Sequence, residues 1–273
     1  MDIIEFLTML YKSGVGYSSI NTARSALSSY LTLGKSVSVG QLPLVKRFVK
    51  GVYNKKLIFP RYQQTWDVNL VLDYLETLSP VNILSLRTLS LKLVMLLALI
   101  TGQRVQTLHS LDLTFMNIEN DHVNIEIHEI LKTSKPGKHL PPLSFPAFVE
   151  EPRLCIVTVL KEYIQRTEKL RKSRKRFATY TKPYNQPAIS TLSNWIKLML
   201  QLAGVNVKLF KTHSTRSAST SAALKAEVAV NTILKSAGWT NESIFRKCYN
   251  RPVTIQDYNE NYSVRLLRGQ KDK

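Results

Sequence analysis

The chain has 273 residues, with 38 Lys and Arg against 19 Asp and Glu, a formal charge of +19. That length buries a sizeable core as one large or two modest domains. The charge is spread along the chain and points to a polyanionic partner, foremost nucleic acid, with a membrane surface as the rival. Against the rival, the longest apolar run, Leu93 to Ile100, falls far short of a span, and no signal peptide is legible. Cys155 and Cys248 form no Cys-x-x-Cys pattern and suit a reducing compartment. The five histidines include no pair at ligand spacing backed by acids, and there is no glycine-rich phosphate loop, so no metal or nucleotide cofactor is expected.

Residues 1–61 read as a helical unit. Ile3, Ile4, Phe6, Leu7 and Leu10 form one apolar stripe, so close to Met1 that a preceding segment is expected. Ser18-Ser19 can cap a second helix bearing Ile20, Ala23, Leu27, Tyr30 and Leu31. Leu42, Val45, Phe48, Val49 and Val52 mark a third. The polar faces carry Arg24, Lys46, Arg47 and Lys50 but few acids, as a module laid on DNA phosphates requires and as a plain solvated face also allows. Phe59 to Gln64, with Pro60, reads as a linker, and a second domain runs over 66–273.

In that domain a helix is expected over Asp67–Leu78, then a helix over Ser85–Ile100 that is apolar nearly all round and so central to the core. Thr101-Gly102 ends it, and Arg104 follows at once. Asp112 to Leu143 has strand character, with alternation in Val123–Ile127 and a turn at Lys132–Lys138. A helix is expected over Leu154–Thr167. The basic run Lys169–Arg176, holding Lys172, Arg174 and Lys175, follows as a solvated loop, a DNA contact or a nuclear address. Phe177–Tyr180 reads as a short edge strand, and Thr191–Leu202 as another helix.

The densest chemistry lies between Lys211 and Asn250. Thr212 or Ser214 can cap a helix running to Ala226, and His213 and Arg216 then share a face near its first turn. A helix start with an imidazole and a guanidinium suits an anion, because Arg holds phosphate as a charged planar fork. Gly238-Trp239 adds one indole donor. Tyr249 follows among Phe245, Arg246 and Lys247. Singly, each of these is more often packing than chemistry; their combination and order carry the signal.

Read in order, Thr101-Gly-Gln-Arg104, Lys132 in Leu-Lys-Thr-Ser, His213-Ser-Thr-Arg216, Gly238-Trp239 and Tyr249 resemble the active-site series of the tyrosine recombinase, or phage integrase, family. The surrounding wording is similar to recombinases of eukaryotic mobile elements, DIRS-type or crypton-like. The likeness covers about Trp66 to Pro252, and more loosely the N-terminal unit as a helical core-binding domain. It implies a mainly α fold with a small antiparallel β-sheet, two domains forming a clamp round duplex DNA. It implies Tyr249 as nucleophile, Arg104 and Arg216 on the phosphate, Lys132 as acid to the leaving oxygen, His213 in proton transfer and Trp239 in place of a more frequent histidine. It also implies no metal, assembly into a tetramer on DNA, and residence in the nucleus. Tyr258 to Leu267 is then either a segment that docks on a neighbour or one packed on its own domain.

The match departs from the family in places. Thr107 stands where many members have an acid, so carboxylate support is either absent or comes from elsewhere, such as Asp112. Lys135 and Lys138 share the turn with Lys132, and Tyr258 and Tyr262 are rivals to Tyr249. A type IB topoisomerase-like enzyme and a catalytically silent DNA-binding protein remain the alternatives.

Overall fold

The computed structural model describes residues 2–33, 37–55, 63–132, 134, 136–137, 139–172 and 177–253. The chain divides into two compact units, Met1–Arg61 and Tyr62–Lys273. Most of the linker expected over 59–64 lies outside the described residues.

The first unit packs three helices, α1 (Ile3–Lys12), α2 (Tyr17–Tyr30) and α3 (Pro43–Lys55), with a short β1–β2 hairpin (Thr32–Leu33, Val37–Ser38) between the last two. Asp2 and Glu5 close a capping box over the start of α1, satisfying donors that the first turn leaves orphaned. Leu7, Ile20, Val45 and Val52 form the small core. These lie on the stripes expected from sequence. The polar faces are left outward.

The second unit is built on α5 (Leu86–Thr101), buried from Leu89 to Leu99 on every face. Ser85 caps it, accepting from the Thr88 amide at 3.1 Å. Its one buried charged residue, Lys92, donates to the Leu78 carbonyl at 2.6 Å, which ties α5 to the end of α4 (Val68–Thr77). Around α5 pack α7 (Ile156–Thr167), α8 (Ile189–Leu202) and α9 (Ser214–Lys225). The short α6 (Val105–His109) follows α5, and α10 (Val230–Ala237) and α11 (Glu242–Cys248) close the described chain. Among the described residues no helix is long and apolar enough to cross a membrane.

The sheet is antiparallel in the order β3 (Met116–Ile118), β4 (His122–Ile125), β5 (Leu143–Pro146). Val123 and Ile125 point into the core from β4, which fixes the register Val123 to Phe145 and Ile125 to Leu143. The mainly helical fold with a small antiparallel sheet is therefore as expected, but the strands are shorter. Pairing stops at Ile125, and the chain on either side of the turn, Ile127–Leu131 and His139–Pro142, is irregular.

Phe177–Tyr180 is not an edge strand. The Tyr163 hydroxyl takes the Ala178 amide at 2.9 Å and returns its proton to the Ala178 carbonyl at 3.0 Å. A buried side chain thus satisfies the backbone that a strand partner would have satisfied. Burial pushes the pKa of Tyr163 up to about 12, so that hydroxyl stays a donor.

Candidate active site

Two helices of the second unit end alike, and their ends meet. α5 stops at Gly102 and α10 at Gly238, both left-handed, with φ of 58° and 66°. At α10 the amides of Gly238 and Trp239 return to the carbonyls of Lys235 and Leu234, a Schellman stop. A Cβ on Gly238 would come within 2.9 Å of Leu140 Cδ1, and one on Gly102 within 3.0 Å of Thr220 Cγ2. The left-handed conformation favours glycine at both, and the space beside each is tight. The two turns send Gln103-Arg104 and Trp239 off in new directions. The ends are tied by Ser236 Oγ to the Thr101 carbonyl at 3.1 Å, and by Gln103 Nε2 to the Ser236 carbonyl.

Against this junction lies α9. His213 is its N-cap residue and is exposed; Arg216 is 2 % exposed. Neither expected hydroxyl caps the helix. Thr212 Oγ1 instead donates to the Ser193 carbonyl at 2.9 Å, and Ser214 Oγ accepts from Trp66 Nε1 at 2.9 Å. Tertiary partners have outcompeted the local cap.

Arg216 donates through Nη2 to the Ala237 carbonyl at 2.6 Å, at the negative end of α10. Its Cζ sits 4.1 Å from the Trp239 ring centre and 5.4 Å from that of Tyr249. Among the described residues its Nε and Nη1 are buried with no hydrogen-bond partner, as is Trp239 Nε1. Burial, and after it the charge of Arg104, pushes the guanidinium down to about 9, with Tyr249 acting the other way. Among the described residues neither arginine has a carboxylate in an ion pair. Asp112, weighed as a support, is spent on Thr114, whose amide and hydroxyl donate to its Oδ1 at 2.8 and 2.7 Å. Thr107 is buried on α6. A buried guanidinium that feels a second positive charge, and three donors without an acceptor among the described residues, make a site short of an anion.

Tyr249 follows α11 directly. Its hydroxyl is 3.4 Å from His213 Nε2, at the long end of a hydrogen bond. Its ring lies 4.5 Å from that of Trp239, which also packs on Phe245 at 5.4 Å. Ser217 Oγ and Ser221 Oγ, one turn apart on α9, both donate to the Tyr249 carbonyl at 2.6 and 2.9 Å. The helix that carries His213 and Arg216 therefore also holds the backbone of Tyr249.

Of the six residues singled out for catalysis, four meet in direct contacts, His213, Arg216, Trp239 and Tyr249, and the charge of Arg104 is felt at Arg216. Lys132 is exposed in a turn closed by the Ser134 amide on the Leu131 carbonyl, and no contact among the described residues joins it to the arginines. The irregular chain that leaves this turn does reach the site. His139, Leu140 and Pro141 face Gly238, Trp239 and Thr240 across an open cavity of about 390 Å³. Lys135, Lys138, Arg174, Lys175 and the segment Tyr258–Leu267, with Tyr258 and Tyr262, lie outside the described residues; Lys172 is exposed.

In the first unit Arg24, Lys46 and Lys50 line one cavity of about 290 Å³ with Asn21, Tyr17 and Tyr53. Arg24 is partly committed there, donating to the Gly40 carbonyl at 3.0 Å. Arg47 is exposed on α3 and does not line that cavity.

The residues sequence reasoning gave no role are Trp66, Gln103, Ser217 and Ser221. Ser217 and Ser221 are four apart in an alanine-rich helix and so share a face, from which two hydroxyls can reach one acceptor. Nothing local marks Trp66 as the partner of Ser214.

Residues 67–254 match the family model described as the phage integrase family. Among solved structures the chain is similar to the Tn1549 transposon integrase in complex with transposon right-end DNA (TM-score 0.63, 11 % identity, 98 % of this chain and 83 % of that one). It is similar also to the XerH site-specific recombinase bound to difH (0.60, 16 %, 90 % and 65 %). A third is a lambda integrase dimer bound to a core site (0.51, 17 %, 94 % and 80 %). The chain thus spans about two thirds of the length of the XerH recombinase. No curated protein sequence matches it. By the family model over most of its length, and by a fold that agrees with it, the chain belongs to the phage integrase family, the tyrosine recombinases.

Proposed function

We propose that the protein breaks and rejoins duplex DNA through Tyr249. The observation that carries this is the meeting of the Tyr249 hydroxyl with His213 beside an arginine whose buried donors lack an acceptor. A backbone phosphate fits that want. Its non-bridging oxygens would take Arg216 Nε and Nη1, the Arg104 guanidinium and Trp239 Nε1, donors that strengthen as charge builds in the transition state.

The Tyr249 oxygen attacks phosphorus and gives its proton to His213. The bond from phosphorus to O5′ breaks, leaving a 3′-phosphotyrosyl link and a free 5′-hydroxyl. The proton that O5′ needs comes from Lys132, carried on the turn whose exit segment borders the site. Attack by another 5′-hydroxyl reverses these steps and joins a new strand. The group energy is held in the phosphotyrosine throughout, so two arginines and a lysine suffice and no metal is called for.

The solved relatives are described as recombinases bound to DNA, one as a lambda integrase tetramer on a Holliday junction. By that analogy the partner is duplex DNA and the working form a tetramer assembled on it. The cavity of Arg24, Lys46 and Lys50 would receive phosphates. A mobile-element substrate and a nuclear site of action extend the sequence resemblance.

The test is a covalent trap. The protein is incubated in EDTA with nicked duplexes built from the ends of its own element, then denatured. A protein–DNA band that vanishes in Tyr249→Phe is expected. No band despite tight DNA binding would replace the proposal with a silent binder, and sequence-independent plasmid relaxation without strand exchange with a topoisomerase.

A further inference from the structure

The second unit opens on a stretch with an unusual set of bonds. Thr65 and Trp66 are 1 % and 3 % exposed, although Gln63 and Gln64 before them are exposed. The Thr65 amide donates to the Pro252 carbonyl at 2.8 Å, and Thr65 forms a parallel bridge with Val253. The Trp66 indole Nε1 donates to Ser214 Oγ at 2.9 Å. Pro252 and Val253 belong to the few residues after Tyr249. Ser214 is the first residue of α9, next to His213. Two adjacent residues thus hold both sides of the pair formed by Tyr249 and His213.

The rest of the frame fixes how the tyrosine is strung. On one side Ser217 and Ser221 hold its carbonyl, and Ser221 Oγ also accepts from the Arg251 amide at 2.9 Å. On the other side Thr65 holds the chain after Arg251. The distance of 3.4 Å from the Tyr249 hydroxyl to His213 is therefore set by how α9 and residues 249–253 register against each other. Thr65 and Trp66 are a common reference for both.

We infer that Thr65 and Trp66 are positioning residues for the nucleophile. They touch no reacting atom and act through Pro252 and Ser214. The inference rests on the reading of Tyr249 as nucleophile and goes beyond it. A misplacement of about 1 Å costs on the order of 100-fold in rate when attack geometry is what the frame supplies.

The experiment uses the full chain with Trp66→Phe, which keeps an aromatic ring in the core, deletes the indole donor and shrinks the side chain. Ser214→Ala deletes the acceptor without touching core volume and stands in if the first variant folds poorly. Single-turnover adduct formation on nicked duplex is read beside DNA affinity and melting temperature. Each variant is expected to cleave at least about tenfold more slowly, with DNA affinity within about twofold of the parent. The double variant should be no slower than the singles, since both remove one bond.

A second substrate separates positioning from proton delivery. With sulfur in place of the 5′-bridging oxygen the leaving group departs without an acid. Lys132→Ala should regain its rate on that substrate, whereas Trp66→Phe should stay slow. Parental rates in both variants overturn the inference, and so does a loss that only tracks the unfolded fraction. A parent protein that forms no adduct at all removes the reading of Tyr249, and this inference with it.

Discussion

Arg216→Met separates the two roles a buried arginine can have. If the guanidinium is structural, its loss should unfold the second unit. If it waits for an anion, the free protein should hardly miss it. Arg216 is 2 % exposed and is held down to about 9 by burial and Arg104. Relative to its ordinary value that is a cost on the order of 5 kcal/mol for carrying the charge unpaired. The substitution removes this cost. It also gives up the bond to the Ala237 carbonyl, about 2 kcal/mol for a charged donor, and the packing on Trp239, about 1 to 2 kcal/mol. These contributions nearly cancel, so the variant should melt within about 5 °C of the parent. Inorganic phosphate or vanadate, which should raise the parent's melting temperature by pairing Arg216, should raise the variant's far less. Adduct formation should fall about 100-fold or more. Scanning fluorimetry with and without the anion, beside the covalent trap, reads all three. A melting temperature lower by more than about 15 °C, with unchanged anion stabilisation, would refute the reasoning.

Lys92 gives a pH dependence of known sign. Burial lowers its pKa to about 8, followed by Arg153, with Glu151 and Glu76 acting oppositely. A depressed lysine leaves the folded state carrying an unwanted proton below about pH 8, a penalty relieved as pH rises toward the unfolded value. The second unit should therefore gain up to about 3 kcal/mol between about pH 8 and 10.5 from this group, and Lys92→Met should flatten that rise in urea melts at successive pH values. An unchanged slope would contradict the assignment. In the first unit, alanine at Lys46 or Lys50 should weaken duplex binding alike for all sequences. The slope of log affinity against log salt, measured by anisotropy, should fall by about 0.9 for each phosphate that the variant no longer neutralises. Arg47→Ala should change that slope less, since Arg47 does not line the cavity.

Much of this was legible along the chain. The three apolar stripes of the first unit, the all-round burial of α5 and its stop at Gly102 are local matters of periodicity and backbone freedom. The order of Arg104, His213, Arg216, Trp239 and Tyr249 was also a property of the sequence, because the chemistry demands those residue types. The strand limits at Ile125 and Leu143 and the irregular course of Phe177–Tyr180 were not. There the backbone's partner was a side chain or segment distant in sequence, such as Tyr163 for Ala178.

The same holds inside the site. Sequence determined which groups carry the charge and which tyrosine we propose as the nucleophile. Only the tertiary structure decided that Thr212 and Ser214 would leave the helix cap for Ser193 and Trp66, that Ser217 and Ser221 would hold the Tyr249 carbonyl, and that Arg216 would be buried with donors to spare. A hydroxyl or guanidinium takes whichever partner the folded chain brings within about 3 Å, and that partner is set by packing far along the chain, not by neighbours in sequence.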